Sequence, residues 1–346
     1  MQVERVANPG AEWDAFVEAT AGAGLGHAAA WHRVLREAYG LAPEYLAARE
    51  SGGGLAGVLP LVPFRGLLGR LELVSLPFLD TAGVLATSPA AEAALRDAAL
   101  ARAREIGAAG LELRQQAPLT TGPPPGEMNR VDLVLALEAS EEAQWNALPA
   151  KVRNQTRKAE REGLRLAEGG SEQLLGAFYA PFLRNMRDLG SPVHARRFFG
   201  AAAAAFGERL RFVITSHADR PVGGLVAIHF AGAVTVPWAS TLRAERQRCP
   251  NNQIYWEALR WSITRGAHTF DFGRSPRGSG THGFKLGWGA VERPLAWLRL
   301  APDGGVLAMP GPEAGAWLLR LSRLWSRLPL ALTAQLGPPL RRRLSN

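Results

Sequence analysis

The chain has 346 residues, 47% of them hydrophobic and 21% charged, a balance that excludes a disordered chain and supplies core for about two domains. Lysine and arginine outnumber aspartate and glutamate 40 to 31. The resulting net charge of +9 favours anionic partners: nucleic acid, phospholipid headgroups or phosphorylated substrates.

The single cysteine excludes an internal disulfide and a cysteine-rich metal site, so no metal is expected. The N-terminus lacks a basic segment leading into an apolar run, and no stretch is long and apolar enough to span a bilayer. The cytoplasm is therefore the expected location. Residues 9–40 read as helical, with Trp13, Phe16, Val17, Trp31, Val34 and Leu35 at core spacings. Residues 45–84 read as three or four strands broken by glycine-rich turns. Ser88 then caps an alanine-rich helix that opens on Pro89 and ends near Ile106. A strand at 111–114 precedes the clearest linker, 118–126, with three consecutive prolines. That linker divides a first domain, 1–125, from a second, 126–302.

The second domain opens on a strand at 131–137, apolar at alternate positions, and a strongly basic helical region at 140–163. Within it Arg153 and Arg157 lie one turn apart, and Lys158 shares a stripe with Lys151, Asn154 and Arg161. Such a helix is either a solvated face or a surface for phosphates, as in an RNA-binding protein. Helices at 174–190 and 195–207 are joined by a segment ending in His194. A hairpin at 211–228 and a strand carrying Trp238 follow. Cys249 then stands before a helix with Pro250 near its first position, either as a thiol activated by the helix end or as a partly buried entry residue. In the tail, 303–346, Trp317, Leu318, Leu321, Leu324, Trp325 and Leu328 form one face and Arg320, Arg323 and Arg327 another. Residues 317–328 suit either peripheral contact with an anionic membrane, at its inner face, or packing on the core.

The richest segment is 264–290. Strand alternation puts Phe270 and Phe272 on one face and Asp271 on the other. A glycine-rich loop carrying Arg274, Arg277 and His282 follows, then Lys285 between apolar neighbours. A mobile cationic loop over a strand end suits an anionic or acyl-bearing ligand; the alternative is a surface hairpin. The segment has an internal echo. Gly107-Ala108 through Leu113 and Gly266-Ala267 through Phe272 both read Gly-Ala-x-x-apolar-acidic-apolar. A weaker echo upstream aligns 45–61 with 211–228. Each half reads helix, hairpin, strand, helix, strand: a duplicated α/β (α+β) domain. GxxxxGKS/T, HExxH, paired CxxC and GxSxG motifs are all absent.

That order of elements resembles the GNAT acyltransferase fold, and a tandem pair resembles the FemAB-like transferases. The segments carrying the resemblance are 151–160 (KVRNQTRKAE), 184–194, 250–256, Phe270-Asp-Phe-Gly-Arg274 and Phe284-Lys-Leu-Gly-Trp-Gly289. Together they are most similar to the FemAB-like branch associated with exosortase/PEP-CTERM and exopolysaccharide systems. The resemblance implies two tandem GNAT-like domains plus a C-terminal amphipathic helix. It implies transfer of an acyl or aminoacyl group to an amine of a cell-envelope or exopolysaccharide precursor.

It also places Lys285 at the transfer site, where a cation balances charge on the tetrahedral intermediate or holds a phosphate. On that reading Lys285→Ala abolishes transfer with little loss of stability. Asp271 either orients or deprotonates the amine or pairs structurally with Arg274. His194 is a substrate-contact candidate, and Trp238 either walls the pocket or belongs to the core. GNAT enzymes cradle the coenzyme A pyrophosphate with a glycine-containing loop, but residues 242–251 here hold no glycine. That favours aminoacyl-tRNA over acyl-CoA as the anionic donor, with no permanently bound cofactor. The alternative is a non-catalytic tandem-GNAT module binding a lipid-linked or anionic ligand.

Overall fold

A computed structural model of the protein describes residues 1–309 and 320–345 in full and the backbone of 315–319. In chain order the elements of the first part are β1 (Gln2–Val6), α1 (Ala11–Ala19), α2 (Ala30–Tyr39), β2 (Glu44–Arg49), β3 (Leu55–Arg65), β4 (Leu71–Val74), β5 (Leu85–Ala86), α3 (Pro89–Glu105) and β6 (Leu111–Gln115). Next come β7 (Arg130–Ala136), α4 (Glu141–Ala147), α5 (Ala150–Arg161), β8 (Arg165–Gly169), α6 (Glu172–Asp188), α7 (Arg196–Phe206), β9 (Leu210–His217), β10 (Arg220–Phe230) and β11 (Ala233–Thr241). The last are α8 (Pro250–Thr264), β12 (Thr269–Pro276), α9 (Gly280–Leu286), β13 (Val291–Pro294), β14 (Ala296–Leu300), α10 (Gly315–Trp325) and α11 (Leu330–Arg341).

The strands form two mixed sheets, ordered β1-β2-β3-β4-β6-β14, with β5 beside β3, and β13-β7-β12-β11-β10-β9-β8. Two strands change place. β7 follows β6 in the chain yet is bonded in the second sheet, and β14 follows β13 yet pairs antiparallel with β6. The compact units are accordingly 1–130 with 294–314 and 340–346, and 131–293 with 315–339. The boundary expected at 302 falls instead before Pro294. Trp297, Leu298 and Leu300 of β14 are buried in the first unit, where the Trp297 indole donates to the Asp80 carbonyl at 2.8 Å. The tail is divided too, its two helices belonging mostly to the second unit.

The internal echo has a physical cause. α3 and α8 both end in a glycine of positive φ, Gly107 (64°) and Gly266 (69°). In each case the next alanine donates to a carbonyl of the last helical turn, Ala108 to Ala103 at 2.8 Å and Ala267 to Ser262 at 3.0 Å. The chain then enters β6 or β12. The helix start was equally readable, since the Ser88 hydroxyl accepts from Ala91 N–H at 3.2 Å with Pro89 following. Leu148-Pro149 splits the expected basic helix into α4 and α5, because a proline cannot donate within a helix. In the second unit one face of the sheet packs on α8, with Val131, Leu133, Val234, Val236, Phe270 and Phe272 in a single core with Ile254 and Leu259.

In the first unit His27 is buried. Its Nδ1 accepts from Gly24 N–H at 3.2 Å and its Nε2 lies 3.0 Å from the Gly83 carbonyl. Loss of solvent pulls its pKa down to about 4. A depressed histidine contributes stability that is complete above its unfolded pKa of about 6.5 and is lost as pH falls toward the folded value. We expect urea stability to fall by up to about 3 kcal/mol across that window. His27→Gln should flatten the slope; an equally steep loss in that variant would assign it to other groups.

Candidate functional site

The second sheet opens at one place. β11 and β12 pair in parallel over three registers, Ala233↔Thr269, Val234↔Phe270 and Thr235↔Asp271, although both strands continue. Two features drive them apart. On β11 a bulge sets Val236 and Pro237 against the single residue Ala227, between the pairs Val226↔Trp238 and Ile228↔Thr235. The bulge bends the strand, and Pro237 brings no N–H to a ladder. On β12 the bend falls at Gly273, whose φ of 73° suits a residue without a side chain.

The groups at this bend are those singled out in the sequence, in altered roles. Asp271 leaves the core face, since Phe270 and Phe272 point into the core, and its Oδ1 accepts from Gly273 N–H at 2.7 Å. Its Oδ2 accepts from Arg293 of β13 at 2.8 Å. The same Arg293 nitrogen lies 3.4 Å from Asp132 of β7. Two buried carboxylates thus share one guanidinium. Lys285 is buried and donates from Nζ to the carbonyls of Gly273 at 2.8 Å and Arg274 at 3.1 Å. Asp271 and Lys285 therefore bind the backbone of β12 at the residues where it turns from β11.

The segment expected as a mobile loop continues β12 to Pro276 and then, after a short turn, forms α9. Ser279 caps α9 by accepting from His282 N–H at 3.2 Å, and Trp288 is buried in the core with Phe284 packed against it. Arg277 and His282 converge on Glu292 of β13, at 2.9 and 2.7 Å. His282 Nδ1 accepts from Gly278 N–H at 3.3 Å, leaving the proton on Nε2 toward Glu292. The hydrogen bond from Arg277, then that of His282, holds the Glu292 carboxyl below its usual range. These pairs fasten the segment to β13.

His194 and Trp238 come together elsewhere. The bulge turns Trp238 toward α7, where Phe198 and Phe199 meet it edge-on at 5.4 and 5.3 Å, and the buried His194 ring stacks on Phe198 at 4.5 Å. Both belong to an aromatic core on the sheet face away from α8. On α5, Arg157 lies over the Trp145 ring at 5.2 Å, and the buried Nε of Arg153 has no hydrogen-bond acceptor among the described residues. Gln155 accepts from Asn252 in the first turn of α8 at 3.3 Å. Lys158 is near enough to act electrostatically on Cys249, the residue preceding α8. Burial raises the Cys249 thiol pKa against the pull of Lys158, so it is not the activated thiol its place at a helix end suggested. Exposed Arg243 and Arg246 stand on the 3-10 turn leading to that helix. The N-terminus of α8 thus carries cationic side chains beside its backbone N–H groups.

The first unit contains the same parting, closed. β4 pairs with β6 only at Leu73↔Leu111 and Val74↔Glu112. Beyond it the fully buried Arg114 donates to the carbonyls of Leu76 at 3.3 Å and Leu79 at 2.6 Å, pairs with Glu112 at 2.8 Å and lies over Trp297 at 4.4 Å. Its backbone donates to the Ser75 hydroxyl at 2.7 Å and accepts from Ala82 N–H at 3.0 Å. The unit's own loop occupies that opening, so the candidate site lies in the second unit. Asp132, Glu292 and Arg293 went unnoticed in the sequence; only Asp132 carried a signal, as a charged residue inside an apolar strand.

Residues 149–286 match the model of the acetyltransferase (GNAT) domain family. No curated protein sequence matches the chain. Among solved structures the chain is similar to FemX, at TM-score 0.65 and 13% identity over 85% of this chain and 95% of that one. It is similar to L-PGS from Bacillus licheniformis, at TM-score 0.56 and 12% identity over 92% and 97% of the two chains. It is also similar to a tandem GNAT protein from the clavulanic acid biosynthesis pathway, at TM-score 0.55 and 13% identity over 87% and 98%. The fold is a tandem of GNAT-like units, and the segment that matches the acetyltransferase (GNAT) model, 149–286, includes the parted strands and Lys285.

Lys285 satisfies two backbone carbonyls, so its removal costs stability, contrary to the expectation from sequence. Lys285→Met should lower unfolding free energy by about 2–4 kcal/mol, read from urea midpoints at constant slope. An unchanged midpoint would show the clamp to be dispensable.

Proposed function

We propose that the protein is an N-acyltransferase whose second unit moves an acyl or aminoacyl group from an anionic donor to an amine. The observation carrying this reading is the parting of β11 and β12 inside the segment that matches the acetyltransferase domain. Where two parallel strands diverge, the facing backbone edges can take an extended acyl chain as though it were another strand. The phosphate-bearing end of the donor then lies at the start of α8, with Lys158, Arg243 and Arg246 supplying charge. The donor is a coenzyme A thioester or an aminoacyl-tRNA. The chain holds no glycine between Leu242 and Asn251, and the left-handed Cys249 (φ 59°) takes the turn before the helix.

Chemically, the amine attacks the donor carbonyl, the carbon–sulfur or ester carbon–oxygen bond breaks, and the amine loses one proton. Asp271, with Asp132 behind it, is the carboxylate beside the parting and the assigned proton acceptor. Its bond to Gly273 N–H and its Arg293 partner fix its orientation. Lys285 places a buried cation where the carbonyl oxygen gains charge. The acceptor amine is assigned to a cell-envelope or exopolysaccharide precursor on the strength of the sequence resemblance. A second reading, a non-catalytic module for an anionic ligand, draws on one observation: both Lys285 and Asp271 are bonded to the backbone of β12.

Titration with acetyl-CoA, uncharged tRNA and aminoacyl-tRNA at low and high salt tests the proposal. Saturable binding of one acylated donor is expected. Arg243→Glu/Arg246→Glu should weaken it by about tenfold or more through lost phosphate contacts. Binding without product from any amine would favour the non-catalytic module, and no binding to any of the three would sink the transferase reading.

A further inference from the structure

α10 and α11 pack on the second unit through an unexpected side. The Ser322 hydroxyl donates to the Leu189 carbonyl at the end of α6 at 3.3 Å, and Arg187 of α6 donates to the Leu328 carbonyl at 3.3 Å. Further along, Gly337 of α11 packs against Val193. The inward stripe of α10 is therefore Ser322, Trp325 and Ser326, all partly buried. The expected apolar face is split: Trp325 turns inward, while Leu321 is 50% and Leu324 60% exposed. Trp317 and Leu318, assigned to the same face, lie outside the described side chains. Leu189, beside the docked Ser322, is itself 61% exposed.

The surroundings of these leucines are cationic. Arg320, Arg323 and Arg327 are all exposed on α10, and at 100° per residue Arg320 borders Leu324 on the outward side. From Gly315 to the end of the chain there are six arginines and no acidic residue. The nearby carboxylate of Asp188 is paired with Arg187 at 2.6 Å. Exposed leucines bordered by arginines match the two layers of an anionic membrane surface, acyl chains below and phosphates above. A solvated helix needs no outward leucines, and a helix serving only the core would turn them inward. No helix among the described residues is long and apolar enough to cross a membrane.

We infer that the outward face of α10, with Leu189, is a docking surface for an anionic phospholipid membrane. Leu321, Leu324 and Leu189 enter the acyl boundary, and Arg320, Arg323 and Arg327 meet the headgroup phosphates. This stands apart from the transferase reading and rests on a different part of the molecule.

Cosedimentation of the full-length protein with phosphatidylglycerol/phosphatidylcholine vesicles, against phosphatidylcholine alone, tests it. Binding only to the anionic vesicles is expected, and it should weaken with salt. Neutralising all three arginines to glutamine should weaken partition on the order of a hundredfold, about fivefold for each charge. Leu321→Ser/Leu324→Ser should weaken it by about tenfold, with only a small loss in melting temperature because both side chains are half or more exposed. Equal binding to neutral vesicles, or full binding by either variant, would overturn the proposal. So would failure to bind anionic vesicles together with a concentration-dependent dimer that the leucine variant abolishes, which would make a second copy of the chain the occupant.

Discussion

The separation of β11 from β12 after Asp271 is the constraint on which the second unit turns. A parallel pair that stops after three registers leaves backbone groups that need other partners. Asp271 accepts the Gly273 N–H, and Lys285 donates to the carbonyls of Gly273 and Arg274. All three bonds are charge-assisted and shielded from water, so the bent strand is held firmly. The remaining pieces follow from that requirement. α9 must fold and dock to deliver Lys285, which Ser279 and the buried Trp288 accomplish, and β13 must lie within reach of Asp271 to bring Arg293. A site assembled from such supports is stiff, and stiffness suits a group that must meet a donor carbonyl in one geometry.

The two units show what happens to one topology with and without a plug. Both have a short parallel pairing that parts after a carboxylate, Glu112 in one and Asp271 in the other. In the first unit Arg114 spans the opening and binds the carbonyls of the loop across it. A fully buried guanidinium with its acceptors in place is costly to move, so that opening is structural. In the second unit the buried cation Lys285 donates to the carbonyls of the bent strand itself. The two units thus use a buried cation differently, one on the loop across the parting and one on the bent strand.

Some of this was legible in residue order, and the reason differs by residue. The Gly-Ala entries to β6 and β12 repeat because a helix end needs a left-handed glycine and a small buried residue after it. Phe270 and Phe272 had to share a face opposite Asp271 because strand side chains alternate. The aromatic flanks of Lys285 marked it as buried, though its partners are carbonyls that no side-chain pattern encodes. Glycines at 278, 280 and 283 suggested a loop, yet Phe284, Lys285 and Trp288 each gain a partner only when the segment is helical. Arg293, far along the chain from Asp271, reaches its carboxylate because β13 returns alongside β7, and no local pattern announces that pairing.

By itself the sequence determined the two α/β repeats, the capped helices, the core faces and the cationic character of α5, of the turn before α8 and of the tail. These depend on local conformational preference and on side-chain periodicity, both short-ranged. Tertiary structure alone decided that β7 and β14 exchange sheets, that Arg114 fills the first opening, that Asp271 and Lys285 hold backbone, and which side of α10 faces outward. Each of those outcomes depends on which hydrogen-bonding groups and which apolar surfaces meet across long stretches of chain, and such meetings are settled only when the whole core is packed.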